Sequence, residues 1–558
     1  MLANNYFTFA EIIPDVTSRF KNNRALGFID DDAMTFAELG GRINAVMAFL
    51  EELGLKPGDK SIILSQNMPN WGIAYLAMLC MGIVAVPVLP EFTEEEVLNV
   101  LLHSEAETVF VSKNLESKIK NTAASKIRTV IRIEDFSVLR HNAMMEFNKN
   151  GNPVKQYKTN KDDLAVLIYT SGTTGNSKGV MLSQKNIISN VIQSSGVQDI
   201  EENDRFLSVL PLSHTYENTI GFLLPLLSGA SVTYLRKPPT PAILVPAMKK
   251  VRPTLMLTVP LIIEKIFRNK VLPELEGKTV TRVLYKFPPT RKLLHRVAGK
   301  KLMQTFGGQL KFFGIGGAKL DGTVEHFLRE ARFPYAIGYG LTETSPLLAG
   351  SNPTNTKFQA IGPVVENCEI KINEPDSRTG EGEIWAKGPN VMLGYYKNQE
   401  ETEKVLTTDG WFKTGDLGVF DRQGWLSHKG RLKNVLVGAN GENIYPEEIE
   451  SVINNFKHVL ESIVVQKKGK LVAMVHFNRE EVELKLQEVK HNLSQRLDDT
   501  IIGDLSKHVD EKIEELAREL KEHINARVNK FSKIQNLIIQ SDPFKKTATK
   551  KIKRYLYT

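Results

Sequence analysis

Short apolar runs alternate with helix-like stretches over residues 1–430. The runs are rich in β-branched residues and bounded by turn residues, which predicts strands at residues 61–65, 84–88, 108–112, 164–170, 231–235 and 311–317. The stretches between them carry apolar residues at helical spacing. Strands that alternate with helices predict an α/β fold with layered, mostly parallel sheets.

The pattern changes after residue 430. Two strand-like runs, residues 462–466 and 470–477, precede a long charged stretch. Apolar positions then recur at spacings of three and four from Leu505 to Phe531, which is typical of an amphipathic helix. We expect its apolar face to pack on a core. The alternative is a helix on a membrane surface or a partner, and the mixed charges of its polar face disfavour a cationic membrane helix.

The composition is that of a globular protein, and the change of pattern after residue 430 predicts two domains, which we place at residues 1–430 (large, α/β) and 431–558 (small, α+β). Of the 558 residues, 42% are hydrophobic and 24% are charged. These values are ordinary for globular proteins and exclude a fibrous or wholly disordered chain. The two cysteines, Cys80 and Cys368, cannot form a disulfide framework and offer no paired metal-ligand spacing, which is typical of a reducing compartment.

Positive charge is concentrated near the C-terminus. The 72 Lys and Arg residues exceed the 64 Asp and Glu residues by 8, and basic residues crowd positions 545–554. Such a patch attracts the phosphates of nucleotides, nucleic acids or anionic lipids. The chain lacks the aromatic–basic interleaving and the motifs of nucleic-acid readers, so we expect no nucleic-acid partner. Peripheral contact with an anionic membrane is a hypothesis that the net charge favours.

Neither a signal peptide nor a membrane span is predicted. Residues 1–15 contain no basic region followed by an apolar run, so the cytoplasm is the expected location. Residues 72–90 are uncharged for 19 positions, long enough for a span to be considered. Gly82 and Pro87 interrupt this stretch, and we interpret it as a buried helix followed by a strand.

The segment LIYTSGTTGNSKGVMLS, residues 167–183, has the chemistry of a phosphate-binding loop. An apolar strand leads into a Thr/Ser/Gly-rich loop with one lysine, followed by a helical pattern. Small residues let backbone N–H groups surround an anion, while hydroxyls and the lysine add donors and charge. Lys178 follows Ser177 and precedes Gly179, so the loop is not a Walker A motif.

Residues 175–179 also match the G-x-S-x-G nucleophile elbow of serine hydrolases. That elbow comes directly off a strand, whereas Ser177 lies about seven residues beyond the predicted one. We therefore keep the hydrolase only as a disfavoured alternative.

Residues 170–175, followed by Lys178 and Gly179, resemble the signature loop of AMP-forming acyl-CoA synthetases, the adenylate-forming superfamily that includes luciferases and peptide-synthetase adenylation domains. Other motifs of this family follow in the same order over nearly the whole chain. They are LPLSHTYE (210–217), FGIGGA (313–318), GYGLTET (338–344), GWFKTGD (410–416), RLK (431–433) and GANGENIYP (438–446). Glu217, three residues after His214, is most similar to the long-chain fatty acyl-CoA synthetase form of its motif.

The resemblance implies a role for single residues of the large domain. The phosphate loop would hold the β- and γ-phosphates of ATP through Thr170, Ser171, Gly172, Thr173, Thr174 and Lys178. His214 would line the acyl or adenylate pocket. Adenine and the acyl carboxylate would contact Gly316, Gly317 and Ala318.

The same resemblance assigns the next motifs to the nucleotide and its metal. Tyr339, followed by Gly340, would stack on adenine, and Thr342 would hydrogen-bond the α-phosphate. Glu343 would bind Mg²⁺, since a carboxylate is a preferred ligand of this ion. Asp416 would bind the ribose hydroxyls, with Arg431 beside it.

By the same resemblance the small domain is mobile. Lys433 would lie at the hinge, and Gly441 in a loop that borders the pantetheine channel of coenzyme A. Lys551 would be the adenylation lysine. Lys550 stands where the family usually has Gly, so Lys550 is the second candidate.

The resemblance implies a long-chain fatty acid–CoA ligase that uses ATP, Mg²⁺ and coenzyme A. Two alternatives are an adenylate-forming enzyme for another carboxylic acid, such as an aryl acid, and one that passes its acyl group to an acyl carrier protein. We expect residues 275–300 to lie near the acyl pocket. The sequence leaves the acyl chain length and the oligomeric state open.

Overall fold

The computed structural model describes residues 6–120, 125–142, 145–149, 157–170, 177–277, 279–437, 443–494, 505–547 and 551–558. Its strands, in chain order, are β1 (Arg24–Phe28), β2 (Met34–Thr35), β3 (Lys60–Leu64), β4 (Val84–Val88), β5 (Thr108–Val111), β6 (Thr129–Arg132), β7 (Val138–Arg140), β8 (Leu164–Thr170), β9 (Lys178–Ser183), β10 (Arg205–Ser208), β11 (Ser231–Tyr234), β12 (Leu255–Thr258), β13 (Phe312–Ile315), β14 (Tyr335–Gly340), β15 (Leu347–Gly350), β16 (Glu369–Asn373), β17 (Gly382–Lys387), β18 (Gly394–Tyr395), β19 (Phe412–Phe420), β20 (Leu426–Arg431), β21 (Leu436–Val437), β22 (Asn443–Ile444), β23 (Val459–Lys467), β24 (Lys470–Phe477) and β25 (Asn536–Ile539).

The α-helices are α1 (Phe9–Arg19), α2 (Phe36–Glu52), α3 (Pro69–Met81), α4 (Glu94–Ser104), α5 (Gln184–Val197), α6 (Leu224–Leu227), α7 (Pro241–Val251), α8 (Pro260–Ile266), α9 (Leu272–Glu276), α10 (Thr279–Tyr285), α11 (Pro288–Thr305), α12 (Gly322–Ala331), α13 (Gln399–Val405), α14 (Pro446–Asn454), α15 (Arg479–Ser494) and α16 (Leu505–Arg527). Two segments are π-helical, Tyr216–Leu223 and Phe267–Val271.

Two eight-stranded sheets contain strands β1 to β15 and β18. One has the order β15-β14-β13-β12-β10-β11-β1-β2 and the other β18-β9-β8-β4-β3-β5-β6-β7. Their central strands pair in parallel, and antiparallel pairs occur towards their edges. A third, antiparallel sheet has the order β16-β17-β19-β20. The predicted α/β fold with layered, mostly parallel sheets is confirmed, and all six predicted strands are present.

Helix α3 lies between the two large sheets. Every residue of the helix except Asn70 is buried, and its apolar side chains share one core with both sheets. A helix that is covered on all sides has to be apolar on all sides, which explains the long uncharged stretch. The sequence 72–90 is thus a buried helix followed by strand β4, as predicted. Within the part of the chain that is described, no helix has the length and apolarity to cross a bilayer.

Strands β8 and β9, which flank the phosphate loop in the sequence, pair antiparallel. Thr170 at the end of β8 is paired with Lys178 at the start of β9. The helical pattern predicted directly after the loop is wrong, because Val180 and Leu182 alternate on one buried side of a strand and the helix begins only at Gln184. Ser183 caps α5 by accepting a hydrogen bond from the Asn186 backbone N–H at 3.1 Å.

The C-terminal region builds its own core. Strands β23 and β24 pair antiparallel and β25 joins β24 in parallel. Helix α16 covers this sheet with Val509, Ile513, Leu516, Leu520 and Ile524, all buried. The helical stripe therefore faces a core rather than a membrane or a partner.

The basic residues at the C-terminus are partly tied to this core. Arg554 donates two hydrogen bonds to the Glu450 carboxylate at 2.7 and 2.9 Å, and Lys546 forms an ion pair with Glu461. These contacts fix the chain on both sides of Lys551.

Candidate active site

Asp416 is the centre of a buried charge cluster. Its Oδ1 lies 2.8 Å from Arg431 Nε and 3.5 Å from His428 Nε2, and its Oδ2 accepts a hydrogen bond from the Tyr339 hydroxyl at 2.9 Å. Burial opposes ionisation, but the hydrogen bond from His428 and the charge of Arg431 outweigh it, so the pKa of Asp416 lies below its usual value. The carboxylate is therefore ionised at neutral pH.

Strand pairing creates this cluster. Asp416 on β19 and Arg431 on β20 are direct antiparallel partners, which brings their side chains to the same face. His428 is paired with Gly418 on the same two strands, and its ring lies 5.8 Å from the ring of Tyr339. Sequence analysis missed His428. It could have been found from the turn at Asp421–Gly424, which lies between two strand-like runs. Such a turn predicts a hairpin, and a hairpin brings His428 back towards Asp416.

Gly340 ends β14 where another backbone crosses it. A Cβ on Gly340 would lie 1.8 Å from the carbonyl oxygen of Pro346, closer than any two such atoms can come. The absence of a side chain is therefore required for the turn of residues 342–344, which presents Thr342 and Glu343. Both residues are half-buried.

Glu343 belongs to a second polar group around Tyr395. The Tyr395 hydroxyl donates to Glu343 Oε1 at 3.0 Å, and Lys178 Nζ lies 4.9 Å from the centre of the Tyr395 ring. Lys178 also forms an ion pair with Glu401 of α13. Neither Tyr395 nor Glu401 was predicted from the sequence, since both lie in a stretch without a recognisable motif.

Tyr216 occupies the space in front of β13. Cβ atoms on Gly314 and Gly316 would lie 3.1 and 3.0 Å from the hydroxyl and ring of Tyr216. The small residues at the end of β13 therefore allow the flat ring of Tyr216 to approach the backbone. Gly317 has a left-handed backbone conformation, with φ of 86°. Ala318 follows it in the loop after β13.

Lys551 reaches the large domain from the end of the chain. Burial and the charge of Arg431 lower its pKa, while Asp416 and Glu343 act in the opposite direction. The pKa of His214 is lowered to about 4, mainly by burial and to a smaller extent by the positive charge of Lys551. Lys551 thus interacts electrostatically with three predicted site residues of the large domain, Asp416, Glu343 and His214, while part of its own surface remains exposed.

The backbone of Lys551 is held by Thr547. The Thr547 N–H donates to the Lys551 carbonyl oxygen at 2.8 Å, and the Lys551 N–H donates to Thr547 Oγ1 at 3.2 Å. This geometry holds the position of Lys551 near the cleft.

Lys433 lies in a short helical turn, Leu432–Asn434, directly after β20. Its pKa is lowered to about 8 by burial first and then by the charges of Arg431 and Lys178. The lysines of the site therefore repel one another in the absence of an anion, a property that suits a polyphosphate ligand.

Some predicted site residues lie outside the described residues. They are Ser171, Gly172, Thr173, Thr174, Gly441 and the second lysine candidate Lys550. Ser177 is described, and it leads into strand β9 rather than into a helix. The strand–turn–helix geometry of a hydrolase nucleophile elbow is therefore not present at this serine.

An apolar cavity continues from Tyr216 and Gly314 into the large domain. Its walls come from α5, the π-helical segment and the parallel strands β10, β12, β13 and β14, and they contain no charged side chain. The apolar part of the wall consists mainly of Ile200, Phe206, Ile220, Leu224, Leu255, Leu257, Phe312, Ile337 and Leu347. No described residue between 275 and 300 lines this cavity.

A protein-family model described as AMP-binding enzyme matches residues 14–396. The chain belongs to this family. Among proteins similar to this AMP-binding enzyme is a long-chain-fatty-acid–CoA ligase of Mycobacterium bovis, 28% identical over 461 residues that cover 77% of this chain and 75% of the relative. Another is a 4-coumarate–CoA ligase of Petroselinum crispum, 28% identical over 453 residues that cover 78% and 77%.

Solved structures share the fold of this AMP-binding enzyme. An o-succinylbenzoate coenzyme A synthetase of Bacillus subtilis, in complex with ATP and a magnesium ion, superposes with a TM-score of 0.72 over 98% of both chains at 22% identity. A benzoate CoA ligase of Burkholderia xenovorans superposes with a TM-score of 0.76 over 99% of both chains at 21% identity. These relatives activate different acids, so the family does not by itself identify the acid.

Proposed function

We propose that this protein is a long-chain fatty acid–CoA ligase. In the first half-reaction the fatty carboxylate attacks the α-phosphate of ATP, which forms an acyl adenylate and releases pyrophosphate. In the second, the thiol of coenzyme A attacks the acyl carbon, which forms acyl-CoA and releases AMP. The long-chain relative supports the ligase, and the apolar cavity supports the fatty acid.

The cavity is the observation that carries the choice of acid. An alkyl chain gains free energy in a pocket of aliphatic and aromatic side chains, at roughly 0.8 kcal/mol per buried methylene. A second carboxylate would be left without a charged partner there. Tyr216, two residues from His214, lines the cavity, so a carboxylate bound at this end would lie near the nucleotide residues.

Three groups of residues would serve the adenylation step. Asp416 would accept hydrogen bonds from the ribose hydroxyls, and Tyr339 would lie against adenine. Lys178 would exchange Glu401 for the phosphates, since a polyphosphate offers more charge than one carboxylate. Lys551 would lie beside the α-phosphate, where negative charge is redistributed in the transition state.

Glu343 fits a magnesium ion. It is a half-buried carboxylate, and its Oε1 is fixed by the Tyr395 hydroxyl at 3.0 Å. Mg²⁺ prefers carboxylate oxygen and usually retains water ligands beside substrate phosphates. The bound ion would neutralise part of the triphosphate charge.

The two half-reactions require different positions of the small domain. Its present position rests on a few polar contacts with the large domain, such as Lys319 Nζ with Glu448 Oε1 at 2.9 Å and the Tyr445 hydroxyl with Glu381 Oε2 at 2.6 Å. We expect rotation about Lys433 to break these contacts, withdraw Lys551 and bring Gly441 towards the acyl adenylate.

The test is AMP release from Mg-ATP over a series of carboxylic acids from acetate to oleate, with benzoate and 4-coumarate added, each with and without coenzyme A. We expect AMP with long acids and only when coenzyme A is present. Sustained AMP release without coenzyme A would indicate another acyl acceptor, because the first half-reaction alone releases pyrophosphate but leaves AMP bound in the acyl adenylate. Activity confined to aryl or short acids would contradict the proposal.

A variant of the cavity wall locates the acyl chain. Val197, the last residue of α5, lines the cavity. Val197→Phe should shift the preference towards shorter acids without a change in the KM for ATP. Leu484→Phe, at an exposed position of α15, is the matched control and should keep the parent preference.

A further inference from the structure

Helices α10 and α11 present an unusual number of exposed apolar side chains. Val280, Val283, Leu284 and Phe287 have 71%, 50%, 37% and 58% of their surface exposed. Their spacing of three, one and three residues places them on one face of a helix and the turn that follows. Leu293 and Val297, one helical turn apart in α11, extend the surface. We call these six residues and the basic residues among them the α10–α11 surface.

The charges of this surface have one sign. Residues 279–305 contain no Asp or Glu, and their basic residues are Arg282, Lys286, Arg291, Lys292, Arg296, Lys300 and Lys301. Among the described residues, no carboxylate forms an ion pair with Lys286, Lys292, Arg296 or Lys300, whereas Arg291 and Lys301 are paired. The surface therefore keeps most of its positive charge for an external partner.

One face of α11 is buried against α12, so the opposite face, which carries Leu293 and Val297, points to solvent. A Cβ on Gly299 would lie 2.7 Å from the Cβ of Ala331 in α12, so the two helices are in close contact. Glu330 of α12 binds Arg291 NH2 at 3.0 Å and His295 Nδ1 at 2.8 Å. His326 is also near this carboxylate. Because the guanidinium of Arg291 already binds the carboxylate, we interpret the cluster as a polar contact that holds α11 against α12 and not as a metal site.

A shallow cleft at the edge of this packing adds further positive charge. It is lined by Lys292 and Arg296 of α11 and by Arg329, Glu330 and Arg332 at the end of α12. Glu330 is engaged inside the protein, so four cations face the opening. Such a cleft fits a phosphate group on a surface that approaches α11.

We propose that the α10–α11 surface docks on an anionic phospholipid bilayer. Lysine and arginine side chains are attracted to acidic headgroups, at about 1 kcal/mol each near the surface. Apolar side chains interleaved with them enter the boundary between headgroups and acyl chains, as in interfacial amphipathic helices. A nucleic acid would satisfy the charges but leave Phe287, Leu293 and Val297 in water, so a bilayer fits better. The inference does not depend on which acid the active site accepts.

The experiment is flotation of the full chain with vesicles of phosphatidylcholine alone and of phosphatidylcholine mixed with phosphatidylglycerol, at low and high salt. We expect binding to the mixed vesicles, weakened by salt. The double variant Lys286→Glu/Lys292→Glu should lower the partition coefficient at least roughly 30-fold, because it removes two attractive charges. The matched control Lys468→Glu/Lys470→Glu, at exposed positions in the turn after β23 and at the start of β24, should bind like the parent.

A second variant tests the apolar part. Phe287→Ser/Leu293→Ser should lower binding at least about 10-fold even at low salt, since it removes two inserting side chains. Leu484→Ser is its exposed control, and thermal midpoints and circular dichroism establish that each variant is folded. If the serine variant does not fold, the charge variant alone decides.

Three results would overturn the proposal. The first is binding that does not depend on the phosphatidylglycerol content of the vesicles, or no binding at all. The second is an equal loss in the surface variant and its control, which would indicate net charge alone. The third is a concentration-dependent dimer that the same substitutions dissociate, without vesicle binding, which would assign the surface to a second copy of the chain.

Discussion

Arg431 Nε lies 2.8 Å from Asp416 Oδ1, and the two residues are direct partners on neighbouring antiparallel strands. The carboxylate is buried, whereas the guanidinium is about one third exposed. The pair is held by backbone hydrogen bonds on both strands, so the position of the carboxylate is fixed before any ligand arrives. A preorganised acceptor loses less entropy when it binds a diol than a mobile one does.

Replacement of Asp416 by Asn should weaken ATP binding about 10- to 100-fold. The amide keeps the shape but loses the charge-assisted hydrogen bonds, which are worth roughly 1.5–3 kcal/mol, and leaves Arg431 without its partner. Calorimetry with ATP and with AMP measures the effect. Asp421→Asn, at an exposed turn of the same sheet, is the control. An unchanged ATP affinity in Asp416→Asn would remove Asp416 from the nucleotide site.

Lys551→Ala should slow adenylation at least about 10²-fold and leave the thioester step from supplied acyl adenylate nearly unchanged. In the proposed mechanism the lysine is needed only while charge moves on the α-phosphate. Pyrophosphate exchange measures the first step, and acyl-CoA formation from synthetic adenylate measures the second. Lys553→Ala, two residues further on, should retain both. Equal losses in the two steps would contradict the assignment, and a selective loss in Lys550→Ala instead would transfer the role to Lys550.

Glu217 should make the protein less stable as pH rises. Burial raises its pKa to about 8 from the ordinary value of 4.5, against the hydrogen bond that Ser208 Oγ donates to it at 2.5 Å. Between these two pH values the unfolded chain releases the proton while the folded chain retains it. The free energy of unfolding therefore falls with pH, by up to about 1.4 kcal/mol per pH unit.

Glu217→Gln removes this dependence. The thermal midpoint of the variant, relative to the parent, should rise steadily between about pH 5 and about pH 8. Glu403→Gln, an exposed glutamate of α13, provides the comparison and should follow the parent. A constant difference between Glu217→Gln and the parent over this range would show that Glu217 ionises normally.

Gly340→Ala should destabilise the protein by about 2–5 kcal/mol, because its new methyl group has no room beside the Pro346 carbonyl oxygen. The same change at Gly41, inside α2 with no atom within 4 Å of the new methyl group, should stabilise by up to about 1 kcal/mol through helix propensity. Thermal midpoints and soluble yields compare the two variants. Equal stability of Gly340→Ala and the parent would mean that the turn of residues 342–344 tolerates a large shift.

The sequence by itself determined the fold class, several of the strands and the family resemblance. Strands such as 84–88 and 164–170 were readable because a run of β-branched residues between turn residues is a local property. The motifs around Lys178, Tyr339 and Asp416 were readable for the same reason, since each is a short consecutive stretch. The uncharged stretch 72–90 was also interpreted correctly, because Gly82 and Pro87 punctuate it.

The tertiary structure alone decided which of these stretches meet. Tyr339 and Asp416 share a hydrogen bond although they are 77 residues apart, and His428 joins them through the strand pairing of β19 and β20. The raised pKa of Glu217 follows from its complete burial, which no local pattern encodes. The reach of Lys551 to His214 depends on how the small domain packs on the large one. Local sequence sets backbone preferences over a few residues, whereas these relationships arise from the packing of whole sheets and domains.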